Sequence, residues 1–190
     1  SDVCSSDLNS LKPSTALHPV RFAVWLWGER ENDELCQASL DSLDSQFPGD
    51  YKLLPSEHQI RAKEKHTWIL LLQAGDRLPR QALRHFAALI HRHPAACVIY
   101  ADEDQFLEGG RRISPQFKPA WNPDLLYSDA AYSHSWLFRS DHCLRACRAL
   151  SKAGEELDLY SLALEMTAHC PPAHIFHLPE ILYQIGRAHV

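Results

Sequence analysis

The stretch that decides the reading of this chain is Ala95-Ala96-Cys97-Val98-Ile99-Tyr100-Ala101-Asp102-Glu103-Asp104. Its first six residues form a short apolar run, the signature of a strand buried on both faces of an α/β sheet. Three acids follow at once. Carboxylates are costly to bury, so the pattern predicts that the strand ends near Tyr100 and that Asp102, Glu103 and Asp104 occupy the loop beyond it. In open α/β sheets that carboxyl edge is where ligands bind. Clustered hard oxygen ligands at such an edge suit Mg²⁺ or Mn²⁺ carrying a phosphorylated substrate. An acidic turn in solvent has the same local sequence, so the surrounding chain must decide.

Working back from this stretch, strands and helices alternate. Val20 to Trp27 reads as a strand closed by Gly28. Asp33 stands as N-cap of a helix carrying Leu35, Cys36, Ser39, Leu40 and Leu43 at helical spacing, ending near Phe47-Pro48-Gly49. Tyr51 to Leu54 is a short second strand, and His66 to Leu72 a strongly apolar third, closed by Gln73-Ala74-Gly75-Asp76. Pro79 opens a helix with Leu83, Phe86, Ala87 and Ile90 on one side, and His93-Pro94 stops it. This is the pattern of βαβ units on a parallel sheet. Right-handed crossovers would bring the loops after Trp27, Leu72 and Tyr100 to one rim, and with them Asp76, Asp102, Glu103 and Asp104.

Forward of Asp104 the character changes. Gly109-Gly110 is a turn, and Phe117 to Asp124 is a proline-punctuated loop with two large aromatics. Tyr132 to Phe138 reads as a strand, Asp141 as the cap of a helix to about Leu150, and Glu155 to Ala168 as another helix. Short extended pieces flank Pro179.

Bulk properties are those of one globular domain: 190 residues, 45% hydrophobic, 23% charged. A net charge of -5 disfavours nucleic acid as a partner. No run approaches the roughly 18 apolar residues needed to span a bilayer, and no signal-peptide core is present. The six cysteines are scattered. Cys143 and Cys147, four apart with His142 beside them, suggest a zinc pair, but no second pair at a familiar spacing accompanies them. Reduced thiols and a cytoplasmic location are expected.

The two ends read differently. Ser1 to Leu8 resembles a translated sequencing adapter, and Ile185 to Val190 resembles the same adapter read from the other strand. Residues 1–19 are therefore expected to be adapter-like residues and linker, 20–184 the domain, incomplete at its ends, and 185–190 adapter-like again.

With these elements placed, a resemblance is visible. Tyr100-Ala101-Asp102-Glu103-Asp104, then Gly110-Arg111-Arg112, then Pro115-Gln116-Phe117-Lys118-Pro119-Ala120-Trp121-Asn122-Pro123-Asp124-Leu125-Leu126 resembles the "YxDED…G.R..P.FKPDWNPDLL" of bacterial family-2 glycosyltransferases. His174-Ile175-Phe176-His177-Leu178-Pro179-Glu180-Ile181-Leu182-Tyr183 is similar to that family's "I.HIP.VLYH". The resemblance implies a GT-A fold: an α/β, Rossmann-like, mostly parallel sheet flanked by helices. It implies a nucleotide-sugar donor, Mg²⁺ or Mn²⁺, and inverting transfer to a glycan or lipid-linked acceptor in cell-surface polysaccharide synthesis. It also allows peripheral association with the inner membrane and neighbouring transferase domains.

On the residues, the resemblance implies Asp102 and Asp104 as metal ligands, or as second-site acids without a metal. Asp76, Asp102, Arg112, Lys118 and Trp121 fall on the donor side, and His134 on the acceptor side. Lys118 and Arg112 either reach the diphosphate or are solvated cations. Trp121 stacks on a sugar, closes the site, or packs beneath its loop. The chain departs from the family in three places. "VDDGS" is replaced by Leu53-Leu54-Pro55-Ser56-Glu57, "LLDHDD" by Leu72-Gln73-Ala74-Gly75-Asp76, and the base-bearing "QDYDLxLR" by Asp158-Leu159-Tyr160-Ser161-Leu162-Ala163-Leu164-Glu165. Leucine occupies the base position, which leaves Asp158 or Glu156 as catalytic substitutes, or as acids favoured at a helix N-terminus. A catalytically degenerate binding or partner module is the alternative.

Overall fold

The computed structural model describes residues 19–28, 33–46, 51–54, 67–128, 134–154 and 157–186. Strands β1 (Arg21–Trp27), β2 (Tyr51–Leu54) and β3 (Thr67–Gln73) alternate with helices α1 (Asp33–Asp44) and α2 (Ala82–Arg92). Strand β4 (Val98–Phe106) turns through Gly109 and Gly110, both at positive φ, into β5 (Arg112–Gln116). Helix α3 (Pro123–Ser128), strand β6 (Trp136–Arg139), helices α4 (Ser140–Ala153) and α5 (Leu159–Ala168), and strand β7 (Ile175–Ile185) complete the order. Helix α4 ends as its sequence suggests. Gly154 adopts φ +71°, and its N–H returns to Leu150 O and Ser151 O.

One seven-stranded sheet runs β2-β1-β3-β6-β4-β5, with β7 on the other side of β4. Strands β1, β2, β3, β4 and β7 share a direction, while β5 and β6 run against it. The α/β, mostly parallel sheet expected from the alternation is present. The antiparallel β6 inserted between β3 and β4 was not legible, because nothing in a four-residue strand announces its neighbours.

Side-chain alternation divides the core in two. Ala23, Trp25, Ile69, Leu71, Val98, Tyr100, Trp136 and Phe138 pack with Cys143, Cys147 and Leu150 of α4 and Leu162, Ala163 and Met166 of α5. Their alternates Phe22, Val24, Trp68, Leu70, Leu72, Ile99 and Leu137 pack with Leu43 of α1 and Leu83, Phe86 and Ile90 of α2. Helices thus cover both faces, which is why the central strands are apolar without a break. Cys143 and Cys147 are buried in this core, and no metal-holding group of three or more His, Cys, Asp or Glu occurs among the described residues. The zinc reading of that pair finds no support.

One expectation is corrected here. β4 does not stop at Tyr100; it continues through the acids to Phe106, leaving Asp102, Glu103 and Asp104 between 1% and 3% exposed. The rule that carboxylates avoid burial is overridden because each acid meets a donor or cation. β7 runs to Ile185. Ile185 is buried in the sheet, and Gly186 N donates to Asp76 Oδ1 at 2.6 Å. Glu156 and residues 55–66 lie outside the described residues.

Candidate active-site cleft

The parallel strands β1 and β3 end side by side at Trp27 and Gln73. Beyond them opens a cleft of about 250 Å³ lined by Trp27, Gln73, Leu126, His134, Trp136, Asp158, Leu159, Tyr160 and Ala163. Four sources meet there: the carboxyl edge of the sheet, helix α3 through Leu126, β6 with the segment leading into it, and the N-terminal part of α5. His134 and Asp158, assigned from sequence to acceptor and catalytic roles, line this one cavity.

Asp158 owes its place to helix capping. Its Oδ1 accepts from Ser161 N at 2.8 Å, and its Oδ2 from Ser161 Oγ at 2.7 Å. Partial burial pushes its carboxyl up, but the bonds from Ser161 and the Tyr160 N–H outweigh that and hold it below the ordinary aspartate value. It is therefore ionised at neutral pH. A carboxylate offers about four acceptor positions, so the two bonds from Ser161 and the one from the Tyr160 N–H leave one for a further hydroxyl donor.

The acids of β4 have other partners. Asp102 Oδ1 accepts from Lys118 N at 2.8 Å and pairs with His177 Nε2 at 2.7 Å. The His177 ring stacks on Tyr100, centroids 4.9 Å apart. Glu103 Oε2 binds Lys118 Nζ at 2.6 Å, and His134 Nδ1 stands 3.7 Å from Oε1. Burial pushes the Glu103 carboxyl up, yet His134 and the Lys118 ammonium more than reverse this and it titrates below its ordinary value. Burial pulls the Lys118 ammonium down, and Glu103 and Asp102 restore it only in part. Asp104 Oδ2 pairs with Arg112 Nε, whereas Oδ1 is buried without a hydrogen-bond partner. Asp76 is fully buried, its oxygens bonded by Tyr183 OH at 2.7 Å and Gly186 N at 2.6 Å. Burial and the nearby Asp76 raise the Tyr183 phenol well above its ordinary value.

These contacts revise the sequence assignments. Lys118 is buried against Glu103 and His134 O, so it does not present its ammonium to a diphosphate. Asp76 is a buried acceptor inside the fold. Arg112, with its side chain 49% exposed, is tied to Asp104 at the sheet edge. Trp121 is partly buried, its ring 6.3 Å from Tyr100 and 6.5 Å from Trp136, which is the packed alternative. A divalent cation on Asp102 and Asp104 does not fit this donor set. Asp102 Oδ1 already takes two N–H groups, a guanidinium sits on Asp104, and no third acidic or imidazole ligand joins them in metal-holding geometry among the described residues. The single orphaned oxygen of Asp104 is not a coordination set.

The residues missed by sequence reasoning are Trp27, Gln73, Leu126 and Tyr160 on the cleft, and His177 and Tyr183 beneath it. Trp27 and Gln73 were readable as strand ends. His177 lies 75 positions from Asp102, a distance over which no local pattern signals a contact.

With this geometry in place, comparison with known proteins is informative. No protein-family model matches the chain. It is 35% identical over 116 residues to the uncharacterized protein y4gI of Sinorhizobium fredii, covering 61% of this chain and 13% of that protein. It is 31% identical over 112 residues to the O-antigen biosynthesis protein RfbC of Myxococcus xanthus, covering 59% of this chain and 8% of that one. The chain thus spans about a tenth of the length of these curated relatives. Among solved structures, S. aureus TarS residues 1–349 in complex with UDP superposes with a TM-score of 0.55 at 15% identity, over 87% of this chain and 60% of that one. A further structure of S. aureus TarS gives 0.52 at 14% identity, over 87% of this chain and 36% of that one. The fold is GT-A.

Proposed function

We propose that the chain is a glycosyltransferase domain that takes a sugar from a nucleotide-sugar donor and passes it, with inversion, to a glycan or lipid-linked acceptor. The observation that carries this reading is the convergence of His134, Asp158 and Trp136 on one cleft at the carboxyl ends of β1 and β3 in a GT-A fold. The likeness to TarS in complex with UDP and to an O-antigen biosynthesis protein supports a role in surface polysaccharide assembly. The long relatives support neighbouring domains in the whole protein. No described helix is long and apolar enough to cross a membrane. The same reading carries a cytoplasmic location, with peripheral association at the inner face of the membrane as its option.

Chemically, Asp158 accepts the proton of the acceptor hydroxyl as the new bond forms, and the lowered carboxyl makes it an ionised but weak base. His134 orients that hydroxyl from the facing wall. Mg²⁺ or Mn²⁺ is the usual means by which family-2 glycosyltransferases neutralise a departing diphosphate, and Asp102 and Asp104 do not fit as its ligands here.

Calorimetry with UDP, followed by turnover assays on a panel of UDP- and dTDP-sugars, tests the reading. Saturable UDP binding with sugar release that Asp158→Asn abolishes supports it; absence of any nucleotide binding overturns it. The second reading, a module that binds without transferring, is favoured by the two hydrogen bonds that Ser161 donates to Asp158. It predicts binding with no turnover and no effect of Asp158→Asn.

A further inference from the structure

The segment Phe117–Trp121 crosses β4 without secondary structure of its own, yet Lys118 is one of the most deeply buried charged residues. Four bonds fasten it. Lys118 N reaches Asp102 Oδ1 at 2.8 Å, and Tyr100 OH reaches Pro119 O at 2.7 Å. Lys118 Nζ reaches Glu103 Oε2 at 2.6 Å and His134 O at 2.9 Å. One of these ties, from Lys118 Nζ to His134 O, ends on a cleft wall. His134 lines the cavity directly, and Leu126 lines it from α3, which begins two residues after Trp121.

We infer that Tyr100, Asp102 and Glu103 are positioning residues that pin the 117–121 strap to β4 and so set the cleft walls at His134 and Leu126, and that Asp102 holds the strap in place of a metal. The inference does not depend on sugar transfer, since it concerns which groups hold the strap.

Asn at position 102 separates the two roles. Both donors, Lys118 N–H and His177 Nε2–H, converge on the single oxygen Oδ1, and an amide carbonyl can accept both. A neutral amide is, by contrast, a poor replacement for a carboxylate on a hard divalent cation.

The test is amide hydrogen exchange and thermal melting of the full chain and of Asp102→Asn, Asp102→Ala and Tyr100→Phe, each with EDTA and with Mn²⁺. The expected result is that Asp102→Ala speeds exchange at Lys118 by about 10- to 100-fold, the loss of one charge-assisted bond, while Asp102→Asn stays near the parent. Tyr100→Phe, which removes only a hydroxyl, speeds exchange in 118–121 and leaves β3 unchanged. Mn²⁺ moves none of these values. Saturable stabilisation by Mn²⁺ that Asp102→Asn abolishes as fully as Asp102→Ala would overturn the inference. So would unaltered strap exchange in Tyr100→Phe should Asp102→Ala fail to fold.

Discussion

Replacing Lys118 by methionine probes the fold where its electrostatics are most exposed to refutation. Methionine keeps the length and apolar stem but removes the ammonium. Glu103, with a side chain 1% exposed, is then left with the His134 imidazole at 3.7 Å. Breaking a buried pair from one side costs about 3–5 kcal/mol, because a charge stays buried without its counter-ion. For a chain of 190 residues, at about 2–4 °C per kcal/mol, the melting midpoint falls by roughly 6–20 °C. The pH dependence has a definite sign. In the parent, Glu103 titrates below its ordinary 4.5, so its contribution is present above that value and is lost as pH falls through the lower, folded one. In Lys118→Met, burial is opposed by His134 without the ammonium, so the carboxyl rises above its value in the parent. Its penalty is then full at neutral pH and is relieved by protonation as pH falls. The stability gap between the two proteins therefore narrows steadily from pH 7 towards pH 4. The double variant Lys118→Met with Glu103→Gln removes both charges and regains at least about 1.5 kcal/mol relative to Lys118→Met. Urea melts across that pH range, on the single and double variants, are the assay. A cost below about 1 kcal/mol that does not change with pH is the behaviour of a surface pair, and it would refute the reasoning.

Other outcomes follow from the same geometry. Asp158→Asn retains a good helix cap and loses the carboxylate, so transfer falls about 10²- to 10⁴-fold while the melting midpoint barely moves; Asp158→Ala also costs about 1 kcal/mol in stability by calorimetry. Tyr183→Phe deletes the hydroxyl between Asp76 and Gln73 N, and chemical denaturation should show a loss of about 1–3 kcal/mol from the unsatisfied buried carboxylate. A chain ending at Gln184 loses the buried Ile185 and the Gly186–Asp76 bond, and should be destabilised by about 2–4 kcal/mol; an unchanged melt would mean these residues are the appendage their sequence resembles.

Much of the frame was legible because it depends on local regularities. Strands β1, β2 and β3 and helices α1 and α2 are marked by apolar runs, helical spacing and Pro or Gly punctuation, and they fall within a few residues of where those signals put them. Asp158 and His134 were singled out by motif position, and both line the cleft. The acids were misplaced for a definable reason. The cost of burying a carboxylate is a property of the residue, but its compensation by Lys118, His177 and Arg112 is a property of the assembled sheet.

What the amino-acid sequence alone determined is therefore the α/β alternation, the apolar central strands and the list of chemically capable side chains. These follow from neighbour-range preferences. Only the tertiary structure decided that β6 enters antiparallel between β3 and β4, that β4 carries its acids inside the sheet, and that the strap they hold frames the cleft. Those outcomes depend on contacts between residues tens of positions apart, where charge, burial and hydrogen bonding are settled jointly and no single segment holds the answer.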